Sequence, residues 1–271
     1  MTRSTADYYK ELLPVFLVGA LLPALFEFFS ALAGTTFALS LTPEEMVTAG
    51  EIGYMALIQD KFFQGSAILS LVVTALRYVL SSLLNYGVIF AIYRKISFDT
   101  QVGAEDAFYF FSHFFGFALV VSIVSNILVG LGFLLLIIPG IILNMGLYPI
   151  AVWIAKAQTQ EPMGVGETIK TTLDSTRGHK GYIFVQTVIF SIIVGVLGAA
   201  VGALVGRSAL SVDGGIGLPG MIMALFLTFV GTMIIYIPAI NIIRRLVDAD
   251  IFHDRKGEMD DIDADLAALN E

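Results

Sequence analysis

The chain has 271 residues, of which 57% are hydrophobic and 14% charged, with a net charge of −8 and a mean hydropathy of +0.84. Soluble domains carry about 45–50% apolar residues, so this composition points away from a water-soluble globule and toward an integral membrane protein. The acidic balance argues against nucleic-acid binding, and the absence of cysteine removes disulfide and thiolate chemistry.

A first span is expected over residues 12–32, interrupted by Pro14 and Pro23 and carrying Glu27. It reads as a retained helix that directs insertion, not as a cleaved signal. The connection that follows contains Thr42-Pro43-Glu44-Glu45, a helix-start pattern of cap, proline and first-turn carboxylates. It predicts short amphipathic helices at the membrane surface. Span two covers residues 65–93 and contains Arg77; span three covers 108–128 and opens in an aromatic run. Gly130 and Gly132 are expected to turn the chain into span four, residues 133–157, apolar until Lys156. At 1.5 Å per residue such a stretch crosses a hydrocarbon core of about 30 Å. Pro139, with Gly140, lacks an amide hydrogen and predicts a kink there. A surface helix is expected over 162–177, span five over 182–205, and span six over 218–246, bent at Pro238. Residues 247–271 read as an acidic cytoplasmic tail. The fold class is therefore all-α and polytopic: residues 1–246 form six transmembrane helices, the fourth and sixth kinked, with short amphipathic surface helices.

Basic residues orient the bundle. Placing the N-terminus, the linkers after spans two and four, and the C-terminus on one side gathers twelve lysines and arginines there. The other side holds only Lys61 and Arg207. This bias puts both termini in the cytoplasm.

Few side chains suggest chemistry. Glu27 and Arg77 each lie 17 residues from a cytoplasmic-side cation, Lys10 and Arg94, or about 25 Å along a helix. They reach similar depth on consecutive spans, either as a bridge that locks two helices or as a site for an anionic substrate. Gly198, Gly202 and Gly206 recur every four residues and predict close helix packing, within one subunit or between two. Asn126 and Asn144 could hydrogen-bond between helices three and four. His113, His179 and His253 show no metal-ligand spacing, and the acidic tail fails the calcium-loop pattern, so no metal or other cofactor is expected.

The run from Leu131 to Phe184 carries a Leu/Ile stretch ending in Pro139-Gly140, then a linker helix from Glu167 to Gly178 with a Ser/Thr and glycine ending. Over these residues the chain resembles the YciC-type family of bacterial inner-membrane proteins. It is also similar to the membrane part of some glycerophosphodiester phosphodiesterases. The resemblance implies a multi-helix fold in the bacterial inner membrane and carries no defined reaction.

The sequence thus reads as a non-enzymatic inner-membrane protein handling or sensing lipid or another amphiphile, with membrane lipids as partners. Two alternatives stand beside it. One is a small transporter or channel built on Glu27 and Arg77. The other is a scaffold acting through its cytoplasmic linkers and tail, as a homo-oligomer or with another membrane protein.

Overall fold

A computed structural model describes residues 3–25, 67–160, 162–209 and 218–252; for 67–78, 201–209, 218–221 and 224 it describes the backbone alone. Among the described residues helix is the only regular secondary structure, and no strand forms.

Helix α1 (Thr5–Glu11) starts in a capping box, with Ser4 accepting from the Asp7 amide and the Asp7 carboxylate accepting from the Ser4 amide. Pro14 cannot donate to the carbonyl of Lys10, so the helix stops, and α2 (Leu13–Leu25) leaves at 70°. Helix α1 packs against the last helix, with Tyr9 donating to the Met233 carbonyl at 3.0 Å and Thr5 lying 2.8 Å from Asn241.

Helix α3 (Ala67–Phe98) is the central element. All six residues from Val88 to Tyr93 are buried, so its C-terminal part is surrounded on every face. It ends at Asp99, which adopts a left-handed conformation (φ 55°) and donates its amide to the Lys95 carbonyl. A 3-10 turn (Ala104–Phe108) folds back onto α3 at Gly87, where any Cβ would overlap the Ala107 carbonyl. One further helical turn (Tyr109–Ser112) leads into α4 (Phe115–Leu135).

Helix α4 buries Ala118, Val121, Ser122, Ser125 and Gly132, and turns Val120, Ile123, Ile127 and Leu131 outward. The expected turn at Gly130 and Gly132 is therefore helix; the chain reverses at Leu136 instead (φ −159°, ψ 140°). Helix α5 (Ile137–Gly146) and α6 (Ile150–Thr159) follow, bent by 47°. The bend expected at Pro139 falls at residues 147–149. Pro139 occupies the first turn of α5, where its missing amide hydrogen would have had no helical partner; Pro149 removes the hydrogen bond that would continue α5. Every residue of α6 from Ile150 to Ala157 is buried. Pro238, by contrast, lies buried inside an uninterrupted helix.

Helix α7 (Val165–Ser175) is amphipathic, with Thr168, Ile169 and Thr172 inward. The threonines bond back to carbonyls of their own chain, which lets a polar face pack closely. Helix α8 (Lys180–Ala209) lies outermost: of its described side chains only Ile183 is buried. Helix α9 (Leu218–Asp248) packs on α8 and α3 and buries Ile240, Ile242, Ile243 and Leu246. Beyond it, Ile251 and Phe252 are still in the core.

Three helical stretches are long and apolar enough to cross a membrane: Phe115–Leu135, Lys180–Ala200 and Leu225–Asp248. Counting the bent pairs α1–α2 and α5–α6 as single spans gives up to five among the described residues, where the sequence predicts six. The core gathers at one end, where α1, α6, α7 and the C-terminal parts of α3 and α9 meet. The described charged side chains belong to the helix ends and linkers gathered there.

Candidate functional site

Several of the sequence-derived candidates lie outside the described residues. Glu27 lies outside the described residues, as do the Thr42–Glu45 helix start and the chain beyond Phe252; Arg77 is described only as backbone within α3. Among the described residues, a Cβ built on Gly198 meets nothing within 4 Å; Gly202 and Gly206 continue α8 as backbone. Asn126 bonds to the Ser122 carbonyl at 2.8 Å and lies 3.4 Å from Ser82 of α3, while Asn144 is exposed. His113 stacks on Tyr109 at 4.8 Å and places Nδ1 2.8 Å from the Ser112 hydroxyl. Among the described residues, no three His, Cys, Asp or Glu side chains cluster as metal ligands would.

What the fold does assemble is a groove where α5, α7 and α8 meet. Gly178, in the left-handed region at φ 87°, turns the chain from α7 toward α8. Thr176 anchors this turn by donating to the Gly146 carbonyl at the end of α5, at 3.1 Å. Lys180, the first residue of α8, is thereby set against the same helix end: a Cβ on Gly146 would lie 3.2 Å from its Nζ. The C-terminal carbonyls of a helix favour a cation in that position.

One part of the groove is a cavity of about 360 Å³ with an apolar floor (Leu143, Ile169, Leu173) and an ionic rim (Lys170, Asp174, Arg177, Lys180). Asp174 pairs with Arg177 at 2.9 Å, both exposed. Among the described residues, neither Lys170 nor Lys180 has an ion-pair partner, so three cations face one carboxylate. The other part, about 320 Å³, is lined by Ile138, Ile141, Ile142, Met145, Gly181 and Phe184, and Lys180 borders both. A cationic basin thus opens beside an apolar trough, a shape that fits a molecule with an anionic head and a hydrocarbon tail.

Sequence reasoning used Lys170, Arg177 and Lys180 only to orient the bundle. The available signal was their spacing: three cations in eleven residues, on and just after an amphipathic helix that follows an apolar span.

A second ionic cluster ties the N-terminus to α3. Lys95 pairs with Glu11 at 2.5 Å and with Asp99 at 2.9 Å, and Arg3 pairs with both carboxylates. Hydrogen bonds from Lys95 and Arg3 hold the Asp99 carboxyl below its ordinary range. Burial opposes the Lys95 charge, but bonds to Glu11 and Asp99 outweigh it and raise that pKa. This cluster fastens helix ends and adjoins no cavity described above.

Comparison with protein-family models, with curated proteins and with solved structures finds no match to this chain.

Proposed function

We propose that this chain is a polytopic protein of the bacterial cytoplasmic membrane that binds an anionic lipid, without catalysis, in the α5–α7–α8 groove. The observation that carries the reading is the juxtaposition of Lys170, Arg177 and Lys180 with a trough of Ile, Met and Phe side chains. Basic groups near a membrane surface each contribute about 1 kcal/mol of attraction to anionic lipid, and the trough offers an acyl chain a dry surface. The bias of twelve cations against two supports placing this end in the cytoplasm. The resemblance over Leu131–Phe184 agrees with a bacterial inner membrane.

The test is native mass spectrometry of the purified full-length chain titrated with phosphatidylglycerol or phosphatidylcholine. The wild type should retain phosphatidylglycerol preferentially, and Lys170→Gln with Lys180→Gln together should weaken that retention roughly 30-fold, at about 1 kcal/mol per cation. Equal retention of the two lipids by the wild type would remove the support for a headgroup site.

A further inference from the structure

From Ile127 to Leu143 the chain carries no polar side chain, yet it reverses direction within this stretch. A turn that reached water would ordinarily expose polar residues. This one exposes Leu134, Leu135, Leu136, Ile137 and Ile138, which are 81, 76, 68, 69 and 70% accessible. Part of its backbone is paired within the turn. The Leu136 amide donates to the Gly132 carbonyl at 3.1 Å, the Gly140 amide donates to the Leu136 carbonyl at 3.4 Å, and Pro139 has no amide hydrogen to satisfy.

Depth follows from helix length. Helix α5 has ten residues, so Leu136 lies at most about 15 Å beyond Gly146. Gly146 is in contact with Lys180, and Leu143 shares a cavity with Lys170, Asp174 and Arg177. The Arg177 side chain is 79% exposed and that of Asp174 43%; ions so placed belong in water or among headgroups. The tip therefore ends about halfway through a core of about 30 Å. Helix α8 starts from the same Lys180 and runs 30 residues, about 45 Å, which suffices to cross.

We infer that α4 and α5 form a re-entrant hairpin, which enters from the charged face, seats Leu134–Ile138 among acyl chains near the bilayer centre and returns. A full crossing would sink the exposed charges of Asp174 and Arg177, with the half-buried Lys180 beside them, deep into hydrocarbon. Helix α4, about 31 Å long, reaches the same depth on a slant, with its Val120, Ile123, Ile127 and Leu131 stripe toward lipid. Crossings are then made by α1–α2, α3, α8 and α9, and both termini stay on one side. Gly132 and Gly140 let the two arms of the hairpin touch, and Leu136 alone connects them.

The cysteine-free sequence allows a direct test in the full-length chain. Leu134→Cys, Leu136→Cys and Ile138→Cys are compared with Glu105→Cys, an exposed position at the charged end. In sealed vesicles of either orientation, a membrane-impermeant maleimide should label the Glu105 variant from its own face and the tip variants from neither. Nitroxide labels attached at the tip should collide with oxygen far more than with a water-soluble nickel chelate, most strongly at position 136. Labelling of the tip from the face opposite Glu105 would overturn the proposal in favour of a full crossing. Labelling from the same face would overturn it in favour of a hairpin in water. The tip side chains pack on little else, and three separate positions guard against one variant misfolding.

Discussion

Gly132 and Gly140 meet across the α4–α5 turn: a Cβ on Gly132 would sit 2.9 Å from the Gly140 Cα, and one on Gly140 would sit 2.7 Å from the Phe133 amide nitrogen. Side chains of Phe133 and Leu143 crowd the same points, but the backbone neighbours cannot swing aside. Gly132→Ala should therefore force the arms apart and lower stability by about 1–3 kcal/mol, the usual cost of overpacking. Gly130, two residues earlier in the same helix, faces open space. Gly130→Ala should be neutral or stabilising by up to about 1 kcal/mol, through helix propensity. Melting temperatures of the two variants in one detergent make the comparison, and similar losses for both would argue against a backbone contact.

The helical, membrane-type character of the chain was legible because apolar runs need only be counted. Boundaries were less so. Gly130, Gly132 and Pro139 all look like breakers, yet two sit inside α4 and the third in the first turn of α5. In a lipid-facing hairpin, glycine serves close approach and proline removes an unmet donor, so neither marks the turn by itself. Pro149 breaks the fourth apolar stretch because it falls in mid-helix; the same residue type at Pro139 does not. The groove was the least legible feature. Lys180 and Leu143 are 37 positions apart, and packing around Gly146 together with the Thr176–Gly146 bond brings their helices together.

The Lys95–Asp99–Glu11 cluster predicts a stability plateau with two edges. Asp99 is held below its reference value of 3.8, so its contribution is present above about pH 4 and is lost as pH falls through the folded value. Lys95 is held above 10.5, so its contribution is complete below that pH and is lost as pH rises through the folded value. Asp99→Asn tests the acid edge without backbone strain, since asparagine tolerates the left-handed conformation found there. The wild type should melt higher than the variant at pH 6, and the difference should shrink as pH falls below 4. A gap that stays constant to pH 3 would mean that the Asp99 charge contributes nothing.

Lys156 is 7% exposed, donates to the Phe252 carbonyl at 2.5 Å and places its ammonium 6.0 Å from the Trp153 ring. Phe252 in turn packs against Tyr93 and Trp153, so this contact helps to hold the chain beyond α9 in the core. Lys156→Met keeps much of the side-chain volume but removes this donor from a buried carbonyl, a loss of about 1–3 kcal/mol. Trp153 is the chain's single tryptophan, so its fluorescence reports on the site. The variant should melt lower, and its emission should shift to the red as Phe252 loosens. An unchanged spectrum and melting temperature would show that the segment is held by its aromatic contacts alone.

Gly181 lines the apolar trough, and a Cβ built there meets nothing within 4 Å. It occupies the second position of α8, where a larger residue can follow the helix without displacing a neighbour. Gly181→Leu should therefore leave the fold intact, or stabilise it by a few tenths of a kcal/mol to about 1 kcal/mol. The new side chain would fill the space offered to an acyl chain. Displacing two buried methylenes at about 0.8 kcal/mol each weakens binding roughly 15-fold. Lys170 and Lys180 keep their charges in this variant, so a headgroup-only site would be untouched. Phosphatidylglycerol retention in native mass spectrometry separates the cases. A loss in Gly181→Leu comparable to that in the lysine variants means that head and tail are held by one continuous site. Full retention would confine the ligand to the ionic basin above Leu143 and exclude the trough as its seat.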